Sequence, residues 1–278
     1  MNSPHDRFRP VADFLNDPAL LSAPATIQSG WPPWDDVQPF GGTERGTISI
    51  LAAPPGCYKT ATMLRLARGF AEGGSRVSWL AGEMQPTALA RRLYCQAAGV
   101  SAEALYREPR STRDTARLAY ASSALASMQH RLRIARAPIC LDDIDQAAET
   151  SDAVFVDYLQ LIRHPDGDVR GHERIEEVMS RTAAAGQRTG AVFVLAAAQG
   201  RMPTGETRSI NNAAKGSSSI EYSADAVYCA NGIQSHQGER CVIFHCLKQR
   251  EGEPISLEVP IDSATGLIAE TRNHERTW

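Results

Sequence analysis

The sequence predicts an α/β fold: a mostly parallel, twisted sheet flanked by helices, with a C-terminal β-hairpin. Three observations predict it. Apolar runs of strand length alternate with amphipathic stretches of helix length. The runs are near-continuous, as strands covered on both faces require. Several of them stop on a polar residue at the C-terminal end, where open α/β sheets bind their ligands.

Residues 1–30 are rich in Pro, Ser and Ala, with one short helical pattern in "VADFLNDPALLSA". They are expected to form an arm or linker helix ahead of a single domain over residues 31–278. The first strand–helix unit is "TISILAA" followed by Thr60 to Glu72, and the second is "RVSWLAG" followed by Thr87 to Ala98. Further on come "DAVFVD", a helix over Arg174 to Arg188, and "AVFVLAAA". Strand, helix, strand in this order reads as parallel crossover units. "CVIFHCLKQ" and "ISLEVPID", separated by the turn-rich "REGEP", read as the closing hairpin.

Composition narrows the function classes. With 42% hydrophobic residues in 278 the chain buries a large core, and its net charge of -3 argues against a wholly basic nucleic-acid coat. A basic stripe or loop remains open. No run of about 18 apolar residues exists to span a bilayer, and the N-terminus lacks the apolar core of a signal peptide, so a cytoplasmic protein without membrane partners is expected. Six cysteines lie far apart inside apolar runs, which suits reduced thiols better than a disulfide framework. "CVIFHC" alternates as a strand does, and no second ligand pair completes a zinc site.

The stretch "AAPPGCYKTA", Ala52 to Ala61, reads as a phosphate-binding loop altered from G-x-x-x-x-G-K-[ST]. Ala53 and Tyr58 stand at the two glycines, around Pro54, Pro55, Gly56 and Cys57, while Lys59, Thr60 and Ala61 open the helix. A turn between a buried strand and a helix starting near Lys59 aims free N–H groups and the positive helix end at a phosphate. Lys59 would reach the outer phosphates of ATP, and Thr60 would hold Mg2+. The competing reading is a Pro-Gly turn before a surface lysine. A side chain at Tyr58 excludes any backbone angle that only glycine reaches cheaply, a constraint that Gly56 is expected to relieve in part.

Three further strand ends point at the same crevice. Asp157, closing "DAVFVD", suits Mg2+ or its waters, its alternative being a helix cap. Glu83, closing "VSWLAGE", is the candidate to orient and deprotonate an attacking water, its alternative being a first-turn acid before Pro86. Gln199, after "AVFVLAAA", would sense the phosphate through its amide.

Taken together, these pieces resemble the motor domain of the DnaB-type replicative helicases, hexameric rings with a RecA-like P-loop NTPase fold that move on single-stranded DNA. The resemblance runs from about Gln28 to Ile268 and is carried by "FGGTERGTISILAAPPGCYKT", "GEM", "ICLDDID", "VFVDYLQLIR", "AAAQGR", "GSSSIEYSADAVY" and "LKQREGEP". It implies Lys59 and Thr60 as phosphate and Mg2+ residues, Glu83 as the catalytic glutamate, Asp157 as the Mg2+-site aspartate and Gln199 as the link to the DNA loops. It also implies Lys248 and Arg250 as the pair reaching into the neighbouring subunit's ATP site, with Arg250 as arginine finger. "RHPDGDVRGHER" and "GRMPTGETRSINNAAKG" resemble the central-channel loops, with Arg170, Arg174, Arg208 and Lys215 as DNA-backbone contacts. The implied partners are further copies of this chain, single-stranded DNA, and a primase or loader protein.

Two departures from the family stand out: Tyr58 replaces a glycine, and the stretch between "ICLDDID" and "DAVFVD" is short. The leading expectation is an ATP-dependent, ring-forming DNA helicase or translocase of a mobile element, plasmid or phage. The alternative is a non-hydrolysing nucleotide-binding scaffold or helicase-associated partner, favoured by Tyr58. A RecA-like switch ATPase is a third reading, against which "DYLQL" and "KQR" argue.

Overall fold

The computed structural model describes residues 10–15, 17, 20, 22–167, 169–198, 218–236 and 239–269. Near the N-terminus a short helix, α1 (Val11–Leu15), buries none of its side chains. The chain then joins the body through a small antiparallel ladder of β1 (Thr26–Ile27) with β2 (Thr43–Glu44), bracketing α2 (Pro32–Asp35). Two indoles anchor this segment: Trp31 and Trp34 are fully buried, and Trp34 Nε1 donates to Thr43 Oγ1 at 2.8 Å.

The body is a single large sheet. Its strands are β3 (Ile48–Ala53), β4 (Val77–Ala81), β5 (Leu132–Arg136), β6 (Ala153–Asp157), β7 (Val192–Ala198), β8 (Ala226–Cys229), β9 (Ile233–His236), β10 (Glu239–Gln249) and β11 (Leu257–Ile261). The order across it is β11-β10-β8-β3-β7-β6-β4-β5, with β9 paired to β10. The six strands from β8 to β5 run parallel, and β10 turns antiparallel against β8, β9 and β11. The expected closing hairpin is β10 with β11, in register Phe244 opposite Leu257.

Both faces of the sheet are covered because successive side chains of a strand point to opposite sides. Leu51 and Ala53 of β3 face the side packed by α3 (Lys59–Glu72) and α4 (Pro86–Ala98). Ile48, Ile50 and Ala52 face the side packed by α7 (Leu141–Thr150), α8 (Gly171–Thr189) and α9 (Ser218–Ser223). Between α4 and β5 the chain adds α5 (Ala102–Tyr106) and α6 (Thr112–Ser127), the latter packing on α4 through Leu118 and Ala121. The central strands are buried along their whole length, and the edge strand β5 is not.

Two glycines let helices and loops approach closely. A Cβ on Gly69 in α3 would lie 1.9 Å from the Ser29 carbonyl oxygen, and one on Gly186 in α8 would lie 2.9 Å from that of Gly46. These contacts seat the 28–46 segment against the helices on both faces.

Candidate nucleotide site

The parallel strands β3, β6 and β4 end together, and their C-terminal ends carry the polar residues expected to handle a nucleotide. After β3 the chain turns through residues 54–58 into α3, with Pro55 and Gly56 exposed and Gly56 in the left-handed region at φ +82°. Tyr58 is the N-cap of α3, at φ +57° and ψ +15°. This corrects the expectation that a side chain at position 58 bars such an angle. The left-handed conformation costs an L-residue about 1–2 kcal/mol, and two contacts offset it. The ring packs against the main core, and the phenol donates to the Gly266 carbonyl at 2.8 Å. That carbonyl is held by a tight turn in which Asp262 Oδ1 accepts from the backbone N–H groups of Ala264 and Thr265, while Gly266 N donates to Asp262 O.

Lys59 begins α3 and folds its ammonium across the mouth of the loop, donating to Ala53 O at 2.7 Å. Burial lowers its pKa, while the negative charges of Asp157 and Glu83 act in the opposite direction. Thr60 Oγ1 donates to Asp157 Oδ2 at 3.0 Å. Asp157 is only 2% exposed, and its carboxyl is pushed up to about 6, chiefly by burial. The Thr60 hydrogen bond and the Lys59 and Arg92 charges oppose that rise, and Glu83 adds to it. Its second oxygen, Oδ1, is buried without a hydrogen-bond partner. Glu83 itself is exposed beyond β4, with its backbone N–H donating to Asp157 O at 3.2 Å.

A hydroxyl and a buried carboxylate with one unpartnered oxygen, placed beside a loop that can take phosphates, are the donor set of a hard divalent cation. The residues present therefore fit Mg2+.

Arg250 lies at the other end of the sheet. Gln249 pairs with Ala226, and Ala226 with Ser49, so the end of β10 is level with the start of β3. The length of β3, about 16 Å at ~3.3 Å per residue, separates Arg250 from the phosphate loop of its own chain. There its side chain is 53% exposed and pairs with Asp225 at 3.0 Å, while Asp225 Oδ2 accepts from Ile48 N at 2.8 Å. A cavity of about 520 Å³ opens at this edge, lined in part by Phe40, Glu44, Arg45, Asp225, Arg250 and Glu251. Burial and the neighbouring Glu251 and Asp225 charges raise the Glu44 pKa. Lys248 is held to the end of α9, its Nζ donating to Ala224 O at 2.6 Å.

A family model described as the DnaB-like helicase C-terminal domain matches residues 27–265. The chain belongs to that family. Solved structures that share its fold include two helicase-related ones. One is a DnaB-like replicative helicase, described together with its interactions with primase: TM-score 0.78, 18% identity, covering 94% of this chain and 67% of the other. The second is described as an ATPase domain: TM-score 0.79, 16% identity, covering 98% of this chain and 100% of the other. No curated protein sequence matches the chain significantly. Among the described residues no helix is long and apolar enough to cross a membrane.

In this DnaB-like chain, Lys59, Thr60, Asp157 and Glu83 come together at one crevice, while Lys248 and Arg250 stand apart from it. Gln199, Arg208 and Lys215 lie outside the described residues. Arg170 is the exposed N-cap of α8, with Nε donating to Gly167 O at 3.4 Å. Arg174 is half-buried in α8 and donates through Nη2 to Gln160 O at 2.9 Å, so its guanidinium is engaged within the fold. Sequence reasoning passed over Arg92, whose charge reaches Asp157, and the 262–266 turn that anchors Tyr58. It also gave no role to Asp225, although "SADAVY" lay in a segment singled out for its resemblance.

Proposed function

We propose that this chain is the ATP-hydrolysing motor of a ring-forming DNA helicase or translocase, working as a hexamer on single-stranded DNA. The observation that carries this reading is the division of the site. The phosphate loop, Asp157 and Glu83 lie at one end of the sheet and Arg250 at the other, so one chain holds half of each of two sites. A heterologous, head-to-tail contact between copies brings the halves together, and such contacts make a ring where the rotation closes.

The division of labour follows from the geometry. The loop N–H groups and the start of α3 bind phosphate, and the Lys59 ammonium leaves Ala53 O for the outer phosphates. Thr60 Oγ1 and Asp157 would hold Mg2+, which supplies charge neutralisation at the phosphates when bound. Glu83, exposed and acceptor-only when ionised, orients the attacking water and takes its proton. Arg250 of the adjacent copy stabilises the charge of the transferring phosphoryl group, a contribution of about 10³–10⁵ in rate for arginine fingers. A primase or loader as partner, and service in a mobile element, plasmid or phage, belong to this same proposal.

The scaffold alternative draws on Tyr58, and the site gives it little support. Tyr58 already provides the left-handed cap that the loop needs, and Glu83 and Arg250, which binding a nucleotide without hydrolysing it does not call for, are both present. The test is steady-state ATP turnover across a protein concentration series, with and without single-stranded DNA, using Lys59→Ala as the blank. Turnover that rises with assembly and with DNA is expected. Bound nucleotide with no turnover above the blank sinks the motor reading in favour of the scaffold.

A further inference from the structure

The short 3-10 turn Leu159–Leu161 follows Asp157 after the single residue Tyr158 and sits where three strand ends meet, since β6 lies between β7 and β4 in the sheet. Towards β4, the Asp157 carbonyl accepts from the backbone N–H groups of Gly82 and Glu83, and a Cβ on Gly82 would lie 3.0 Å from Leu161 Cβ. Towards the core, Leu159 is fully buried. Towards β7, Gln160 Oε1 accepts from Ala198 N at 3.2 Å. The Gln160 carbonyl meanwhile accepts from Arg174 Nη2 at 2.9 Å, tying the turn to the first helical turn of α8.

Gln160 thus touches a residue just before one of the expected DNA-contacting segments and a residue within the other. Ala198 is the last residue of β7, and the "GRMPTGETRSINNAAKG" segment begins two positions on. Arg174 closes the other segment, "RHPDGDVRGHER", in the first turn of α8. Three residues back along the same turn is Asp157, whose carboxylate touches Thr60 of the phosphate loop.

We infer that Gln160 is a positioning residue: it carries displacement of the Asp157 turn, on nucleotide binding, to the bases of both segments. The inference rests on the motor reading for its biological meaning, and on the hydrogen bonds alone for its mechanics. Rigid elements joined by a few directional bonds are how coupling crosses between sites, and such coupling is measured as a change in one site's response to the other. The Ala198 bond needs an acceptor at the end of the side chain, whereas the Arg174 bond needs only the backbone carbonyl. Substitutions of the Gln160 side chain therefore remove the bond to β7 and leave the backbone bond to Arg174 in place.

The experiment compares wild type with Gln160→Met, which keeps length and loses the amide acceptor, and Gln160→Glu, which restores an acceptor. ATP turnover is measured with and without a single-stranded oligonucleotide. Hydrogen exchange of peptides covering the 192–199 stretch is measured with and without ATP and Mg2+. Basal turnover of Gln160→Met is expected to stay close to wild type while its stimulation by DNA falls at least about fivefold, the lower end of typical coupling factors. Nucleotide-induced protection of the 192–199 stretch should vanish in Gln160→Met and return in Gln160→Glu.

Full stimulation and full protection in Gln160→Met overturn the proposal. So does a parallel loss of basal and stimulated turnover that Gln160→Glu does not rescue, since that is the mark of a purely structural role. If wild-type turnover ignores DNA, the motor reading fails, and the exchange measurement alone then decides for or against the coupling.

Discussion

At the scale of single residues, the site is held by groups that oppose their own comfort. Tyr58 occupies a left-handed cap and is kept there by the Gly266 carbonyl, 208 positions away in sequence. Tyr58→Phe removes only the donor. It is expected to lower stability by about 1 kcal/mol, to shift Tm by about 2–4 °C, and to weaken nucleotide binding as the loop loosens. Tyr58→Gly removes strain and anchor together and should bind nucleotide better than Tyr58→Phe. Thermal melts and a nucleotide titration of the two variants check this; equal affinities would show that the phenol does not shape the loop. Asp157 makes the second case. Its folded pKa of about 6 lies above the ordinary 3.8, so between those pH values the native state binds the extra proton and stability falls as pH rises. Asp157→Asn lacks that fall. Its stability relative to wild type should climb by up to about 3 kcal/mol from pH 4 to pH 7, while ATP turnover is lost at every pH. A difference that stays flat across this window would mean that the carboxylate is not disfavoured by burial.

At the scale of elements, close approach governs how the arm, helices and sheet fit. Gly69 sits inside α3, where alanine is ordinarily worth up to about 1 kcal/mol more. Here a Cβ would meet the Ser29 backbone at 1.9 Å, so Gly69→Ala should instead destabilise by about 1–3 kcal/mol. Urea unfolding at an unchanged m-value is the readout, and a rise in the midpoint would contradict the packing. The same scale explains what the sequence disclosed. β3, β4, β6 and β7 are buried along nearly their whole length, and burial on both faces leaves an apolar run that is easily read. The edge strand β5, "LRIAR", has arginine on its exposed positions, and β8 contributes only four residues, so neither stands out from its surroundings. Helix α6 buries only Leu118 and Ala121 of its sixteen residues, too thin a stripe for periodicity to reveal. Lys59, Thr60, Glu83 and Asp157 were legible because each sits at a strand end whose apolar run announces it. The Tyr58 anchor was not, because its partner is a backbone carbonyl brought near only by the closed sheet. Arg174 read as a loop charge because nothing local shows that its guanidinium turns inward to Gln160 O.

At the scale of the whole molecule, the length of β3 is what makes assembly a condition of activity in the proposed motor. Arg250 stands level with the start of that strand and the phosphate loop follows its end, so on the proposed shared-site reading an isolated chain leaves each half-site without its complement. Arg250 is paired with Asp225, which also accepts from Ile48 N and so ties the Arg250 segment to the very strand that carries the loop at its far end. Arg250→Ala should therefore bind nucleotide as wild type does and hydrolyse it about 10³-fold or more slowly. Lys59→Ala should fail as well, for a reason located at the other end of the sheet. The decisive measurement mixes the two inactive variants. In a head-to-tail ring assembled at random from equal amounts, about a quarter of the contacts set an intact Lys59 against an intact Arg250. Turnover should return to about that fraction of wild type and should track the mixing ratio. Two defects within one self-contained site cannot complement each other, so a mixture as inactive as its components would overturn the shared-site architecture.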